Sequence, residues 1–76
     1  MDFPAWYEAE RDGVLRSLIV VGGDREVARD AVAEAFARAY ERWGRVAAMR
    51  SPTGWVHRVA LNELRRRLRR RRAEPG

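Results

Sequence analysis

The sequence contains no cysteine, no lysine and a single histidine, and these absences exclude several classes of protein. Without cysteine there is no disulfide framework and no thiolate zinc site. A lone His57 argues against an imidazole metal cluster or a catalytic triad, so we expect no metal and no cofactor. The chain also lacks a long apolar run and a signal-peptide pattern at its N-terminus. We therefore expect a cytoplasmic protein with no membrane span.

The 16 basic residues are all arginines, and they are distributed unevenly. Residues 1–64 carry nine arginines against ten acids, a net charge of −1, whereas residues 65–76 carry seven arginines against Glu74 alone, a net charge of +6. A basic excess confined to one end indicates a polyanionic partner such as nucleic acid. With 76 residues, the chain is one small domain or a piece of a larger protein.

Helical periodicity appears in three stretches, which predict helices over residues 4–21, 24–43 and 52–72. Each carries one apolar stripe, the pattern of a helix packed on one side. The stripe residues are Trp6, Tyr7, Leu15, Leu18 and Ile19; Ala28, Val32, Ala35, Phe36, Ala39 and Trp43; and Val56, Val59, Ala60, Leu64 and Leu68. We therefore predict an all-α fold, a small three-helix bundle over residues 1–72. Residues 44–50 are expected to form a loop, and residues 73–76 the start of a linker or the end of an excised domain.

The side of the second helix opposite its apolar stripe combines acids with small apolar residues. Its members are Val27, Asp30, Glu34, Ala37, Arg38 and Glu41. Two carboxylates one turn apart, flanked by alanine, suit a partner helix that carries basic side chains. An alanine-rich helix with an ordinary charged exterior gives the same pattern, since alanine is a good helix former.

The outer side of the third helix carries a continuous stripe of Arg58, Asn62, Arg65 and Arg69, with Trp55 and Arg66 at its edge. Arginine binds phosphate or guanine, asparagine pairs with adenine, and tryptophan stacks on an exposed base. The stripe therefore predicts nucleic-acid binding. An arginine-rich helix end that only complements the helix dipole is the simpler alternative, but seven arginines within residues 65–72 exceed what a dipole needs.

Two further features have mainly structural interpretations on pattern alone. The predicted loop, with Arg45 and Arg50, could hold a base flipped from a duplex, although most such loops only connect helices. His57 is expected to be half-buried and to pack. Asp30 and Glu34 lie on a convex helix surface without a pocket, so we do not expect an acid–base pair or an enzyme.

Taken together, the chain resembles region 2 of bacterial RNA polymerase sigma factors, and most closely the extracytoplasmic-function class. The resemblance rests on three stretches in order: Gly23-Asp24 and Ala28 with the run from Asp30 to Tyr40; Ser51-Pro52 and Trp55-Val56 with the run from Arg58 to Asn62; and the arginine run that begins at Arg65. It covers nearly all of residues 3–72.

The resemblance implies two binding surfaces and two partners. The helix that docks onto the clamp coiled coil of the polymerase β′ subunit would carry Asp30, Ala33, Glu34, Ala37 and Arg38. Contacts to promoter DNA would come from Arg45, Arg50, Ser51, Trp55, Arg58, Asn62, Arg65, Arg66 and Arg69. Among these, the residues from Arg45 to Ser51 would trap a flipped base of the single-stranded non-template −10 element, and the helix residues would contact that element and the upstream phosphates. An anti-sigma factor is a further possible partner.

The sequence departs from the family pattern at several points. Ala33 stands where glutamine is usual and Arg29 where an acid is common, which removes a polar contact and some negative charge from the docking surface. The chain also stops where a linker and the −35-reading region 4 normally begin, so it is expected to be an excised domain or an unusually short protein. Two alternatives stay open: a generic arginine-rich RNA-binding helical module, and a protein-interaction module held by an anti-sigma factor.

Overall fold

The first helix, α1 (Phe3–Gly22), has a well-formed cap at each end. In the computed structural model, which describes residues 1–73, the Asp2 carboxylate accepts a hydrogen bond from the Ala5 backbone N–H, with 2.9 Å between nitrogen and Oδ1. Gly23 ends the helix in the left-handed conformation, with φ of 70°, and its N–H donates to the carbonyl of Ile19 over 2.8 Å. Glycine suits this position because it has no Cβ to clash.

The second helix, α2 (Arg25–Glu41), begins one residue after the predicted start at residue 24 and ends two residues before the predicted end. The Asp24 carboxylate accepts a hydrogen bond from the backbone N–H of Val27, with 3.0 Å between nitrogen and Oδ1. Glu26 adds negative charge in the first turn, which favours the positive end of the helix dipole.

A short helix, α3 (Trp43–Ala47), occupies most of the segment predicted as a loop over residues 44–50, so that prediction is wrong for its first part. The carbonyl of Arg42 accepts hydrogen bonds from the N–H groups of Arg45 and Val46. The Trp43 ring packs against Trp6, with ring centroids 4.8 Å apart. This contact with α1, which is distant in sequence, stabilises a segment that the local sequence predicted to be a loop.

The last helix, α4 (Pro52–Ala73), is about 33 Å long at 1.5 Å per residue. The Ser51 hydroxyl caps it by accepting a hydrogen bond from the Gly54 N–H over 3.0 Å. Ala73 is the last described residue and is helical, and residues 74–76 of the predicted linker lie outside the described residues.

The core lies where α1, α2 and α4 meet, and it includes most of the predicted stripe residues. The buried apolar residues are Trp6, Val14, Leu18, Val27, Ala28, Ala31, Val32, Ala35, Phe36, Ala39, Val46, Val56, Ala60 and Leu64. Residues 1–73 form an all-α bundle without strands, which confirms the predicted fold class. In that part of the chain, no helix has the length and apolarity needed to cross a membrane.

Gly13 within α1 and Gly23 at its C-terminal cap allow a paired test of the helix backbone. A Cβ at Gly13 would meet nothing within 4 Å, so Gly13→Ala is expected to raise the free energy of unfolding by about 0.5–1 kcal/mol. Gly23→Ala is expected to lower it by about 1 kcal/mol, because alanine is strained at positive φ. Urea unfolding followed by circular dichroism measures both, and equal shifts would contradict the assigned end of α1.

Candidate nucleic-acid interface

The outer stripe of α4 is exposed as its spacing predicts. Arg58, Asn62, Arg65 and Arg69 all lie on the solvent side of the helix, and Arg66 is exposed beside them. Trp55 is half-buried and packs against the core, so only part of its ring is free to stack on a base. The stripe therefore offers guanidinium and amide groups along about three turns of one helix.

A groove between α2 and α4 brings four of the predicted DNA-binding residues together. Asn62, Arg65, Arg66 and Arg69 line it with Val59 and Glu63 of α4. Arg38 of α2 completes the lining, although the resemblance assigns it to the polymerase surface. Arg58 and Trp55 do not line this groove. It is a strongly basic surface built from two helices.

A buried carboxylate lies among these arginines. Glu63 is 4% exposed, and both of its oxygens lie 2.6 Å from Nη2 of Arg66. Nη2 of Arg38 reaches Oε2 of Glu63 over 3.4 Å and joins the carboxylate to α2. Nε of Arg67 lies 3.5 Å from Oε1 without forming a hydrogen bond. Glu63 thus interacts with arginines of both helices.

Hydrogen bonding decides the charge state of this acid. The hydrogen bonds from Arg66 hold the pKa of Glu63 below its ordinary value, although burial acts in the opposite direction. The nearby charges of Arg66, Arg38 and Arg67 lower it further. Glu63 is therefore ionised at neutral pH and compensates part of the basic charge around it.

The arginine run has a second side that faces the start of α2. Arg71 forms an ion pair with Asp24, and Arg67 and Arg70 line a shallow groove with Glu26 and Asp30. The backbone N–H of Val27 and then the Arg71 charge hold the pKa of Asp24 below its usual range. These arginines face protein acids, so only part of the run is directed away from the bundle.

The polymerase-binding surface predicted on α2 is only partly as expected. Asp30, Ala33 and Ala37 are exposed. Glu34 is half-buried, and its Oε2 accepts a hydrogen bond from Nε of Arg38 over 3.1 Å. Val27, which the spacing placed on this outer side, is buried at 9% exposure, so that prediction is wrong. The packing of α4 against the start of α2 covers it.

The segment predicted to trap a flipped base is shorter than expected. Because α3 extends to Ala47, only residues 48–51 lack helical structure. Arg45 and Arg50 are exposed on either side of this turn. The Ser51 hydroxyl is engaged in capping α4, so its hydroxyl oxygen already has one hydrogen-bond donor.

His57 is half-buried, as expected, and packs between helices. Its Nε2 lies 3.0 Å from Oγ of Ser17 on α1. Within residues 1–73, no group of histidine and acidic side chains is arranged to hold a metal ion.

Comparison with protein families identifies this arrangement. The model of the family described as Sigma-70 region 2 matches residues 6–74, which is most of the chain. The chain belongs to the sigma-70 region 2 family. Such domains bind RNA polymerase and recognise and melt promoter DNA, and they are non-enzymatic parts of transcription regulators. Searches of curated proteins and of solved structures returned no significant match.

The sequence pattern predicted no role for Glu63 in this region 2 domain, although Arg38 and Arg66 beside it were assigned to binding surfaces. Glu63 lies seven residues after Val56, so it falls on nearly the same side of α4 as the apolar stripe. Arginines three and four residues later, Arg66 and Arg67, are in reach of its carboxylate on a helix. The sequence therefore did contain a sign of this ion cluster: an acid on the buried stripe, followed by arginines three and four residues later.

The lowered pKa values of Glu63 and Asp24 predict an acid-sensitive region 2 domain. Between the folded and ordinary pKa values the unfolded chain binds more protons, so stability rises with pH across this window. We expect the melting temperature to fall as the pH decreases from about 4.5 through the lowered pKa values. Glu63→Gln should show a shallower fall in melts followed by circular dichroism, and an unchanged pH dependence would contradict the role of Glu63.

Proposed function

We propose that this chain is region 2 of an extracytoplasmic-function sigma factor, which docks onto the β′ clamp helices of RNA polymerase and recognises the −10 element. Its work on promoter DNA would place it in the bacterial cytoplasm. The observation that carries the proposal is the presence of two chemically opposite exposed surfaces on adjacent helices. One is acidic and alanine-rich on α2, and the other is arginine-rich on α4.

The α2 surface supports docking on a basic helical partner. Asp30 is exposed, Glu34 is half-buried, and the exposed alanines Ala33 and Ala37 leave room for close helix approach. Arg38 lies at the border with the α4 groove and partly compensates Glu34. Charge complementarity of this kind favours association and selects against partners of the same charge.

The α4 surface supports binding of a single strand. Arg58, Arg65 and Arg69 supply phosphate contacts, and Asn62 between them supplies an amide that can read a base edge. Arg45 and Arg50 flank the short turn before α4, where an extruded base would lie. Trapping a base that is already unpaired avoids the unstacking cost of a few kcal/mol, so we expect preference for single-stranded DNA.

Selection from a randomised pool of single-stranded DNA tests this function. We expect an enriched sequence to bind about tenfold tighter than its scrambled version at equal salt, and tighter than the corresponding RNA. Fluorescence anisotropy across salt concentrations measures each affinity. Equal affinities with the same salt slope would mean phosphate contact alone and would contradict sequence recognition. Tighter binding of the RNA would favour the arginine-rich RNA-binding alternative.

A further inference from the structure

The buried carboxylate of Glu63 connects the two surfaces of the domain. It forms ion pairs with Arg66 of its own helix and with Arg38 of α2. Both arginines line the groove that also contains Asn62, Arg65 and Arg69. The side chain of Glu63 is 5% exposed, whereas those of Arg66 and Arg38 are 52% and 35% exposed. The acid is thus held inside, while both of its partners keep surface towards solvent.

The geometry leaves hydrogen-bond donors free on both arginines. Arg66 uses one nitrogen, Nη2, for both oxygens of Glu63. Arg38 uses Nη2 for Glu63 and Nε for Glu34. A guanidinium group has five N–H donors, so each side chain can still bind an anion while the carboxylates fix its orientation.

We propose that Glu63 is a positioning residue for DNA binding, which holds Arg66 and the α2 residue Arg38 over one groove as paired phosphate ligands. The inference rests on the proposed function and adds Arg38 to the DNA-binding surface. Side chains already ordered before binding lose less entropy when they meet a phosphate. Fixed phosphate contacts in turn set the register at which base-reading groups such as Asn62 meet the strand.

Charge and positioning predict different consequences for loss of Glu63. Removing an acid from a basic groove raises the local positive charge, so electrostatics alone predicts tighter binding of every strand. Loss of positioning predicts weaker discrimination, because Arg66 and Arg38 become free to bind phosphates in other registers. The ratio of the affinities for the sequence enriched from the pool (the selected strand) and for its scrambled version therefore separates the effect of charge from the effect of positioning.

The decisive comparison is Glu63→Gln against Glu8→Gln, which changes the net charge equally. Glu8 is exposed on α1 and forms no ion pair among the described residues. We expect Glu8→Gln to keep the wild-type ratio of dissociation constants for the scrambled and selected strands. Glu63→Gln should lower that ratio about fivefold, without weaker binding of the scrambled strand. An unchanged ratio in a folded Glu63→Gln protein would overturn the proposal.

A second variant keeps the proposal falsifiable if Glu63→Gln fails to fold. Arg38→Gln leaves the Glu63–Arg66 pair in place, and we expect it to weaken binding of both strands about threefold. It should also reduce the slope of log affinity against log salt concentration by about 0.7, the value for one phosphate contact to a single strand. An unchanged slope would overturn the assignment of Arg38 to DNA. If the wild-type chain itself does not discriminate between the strands, the proposed function fails instead.

Discussion

Reversing two charges on α2, with Asp30→Arg and Glu34→Arg together, is expected to abolish binding to the β′ clamp helices. The proposed partner surface is basic, so the substitutions replace attraction by repulsion between like charges that costs several kcal/mol. We expect the affinity to fall at least about 100-fold, since each 1.4 kcal/mol is a factor of ten. Surface plasmon resonance with an immobilised clamp coiled coil measures this loss.

A charge-matched control separates docking from net charge. Glu8→Arg with Asp12→Arg makes the same change in charge on α1, where both side chains are exposed. Within the described residues Asp12 forms an ion pair only with Arg11, and this exposed pair contributes little to stability. We expect the control to bind the clamp within about twofold of wild type. Equal losses in both variants would contradict a docking surface on α2, while retained clamp binding by the α2 variant would exclude Asp30 and Glu34 from it.

Trp6→Ala is expected to leave the domain largely unfolded at 37 °C. The Trp6 ring is 5% exposed and packs on Phe36, with centroids 5.1 Å apart, and on Trp43 of α3. Truncating a buried tryptophan costs about 3–5 kcal/mol, which approaches the whole stability of a small domain. Far-ultraviolet circular dichroism against temperature measures the loss of helix.

Trp6→Phe tests how much of that cost comes from packing. The indole Nε1 donates a hydrogen bond to Oγ1 of Thr53 over 3.1 Å, and the Thr53 hydroxyl in turn donates to Glu10. Phenylalanine keeps most of the apolar volume but loses the donor and part of the ring system, so we expect the free energy of unfolding to fall by about 1–2 kcal/mol. A Trp6→Ala protein as stable as Trp6→Phe would contradict a core centred on this ring.

The helices themselves were predictable because their patterns are local. The periodicity of Ala28, Val32 and Phe36 is a property of one helix, and all three are buried as that spacing requires. The predicted bounds of these three helices agree with the structure to within two residues. The resemblance to sigma region 2 also came from local stretches, and the family match confirms it at that level.

The errors arose where contacts between distant segments decide the structure. Trp43 begins a helix against the rings of Phe3 and Trp6 on α1, which lie 40 and 37 residues earlier in the sequence. Val27 is buried because α4 covers it, which the spacing within α2 does not reveal. The sequence pattern predicted no role for Glu63, whereas arginines of two helices compensate its burial. Part of the arginine run of α4 is thus engaged in ion pairs within the domain.

Docking of α2 onto RNA polymerase is tested most directly by equilibrium binding of the unmodified chain to an isolated β′ clamp coiled coil. Its acidic α2 surface is the feature that distinguishes a sigma domain from a generic arginine-rich module. We expect saturable binding of one chain per coiled coil, weakened by salt and lost in the Asp30→Arg and Glu34→Arg variant. Absence of binding by the folded wild-type chain at micromolar concentrations would contradict this docking.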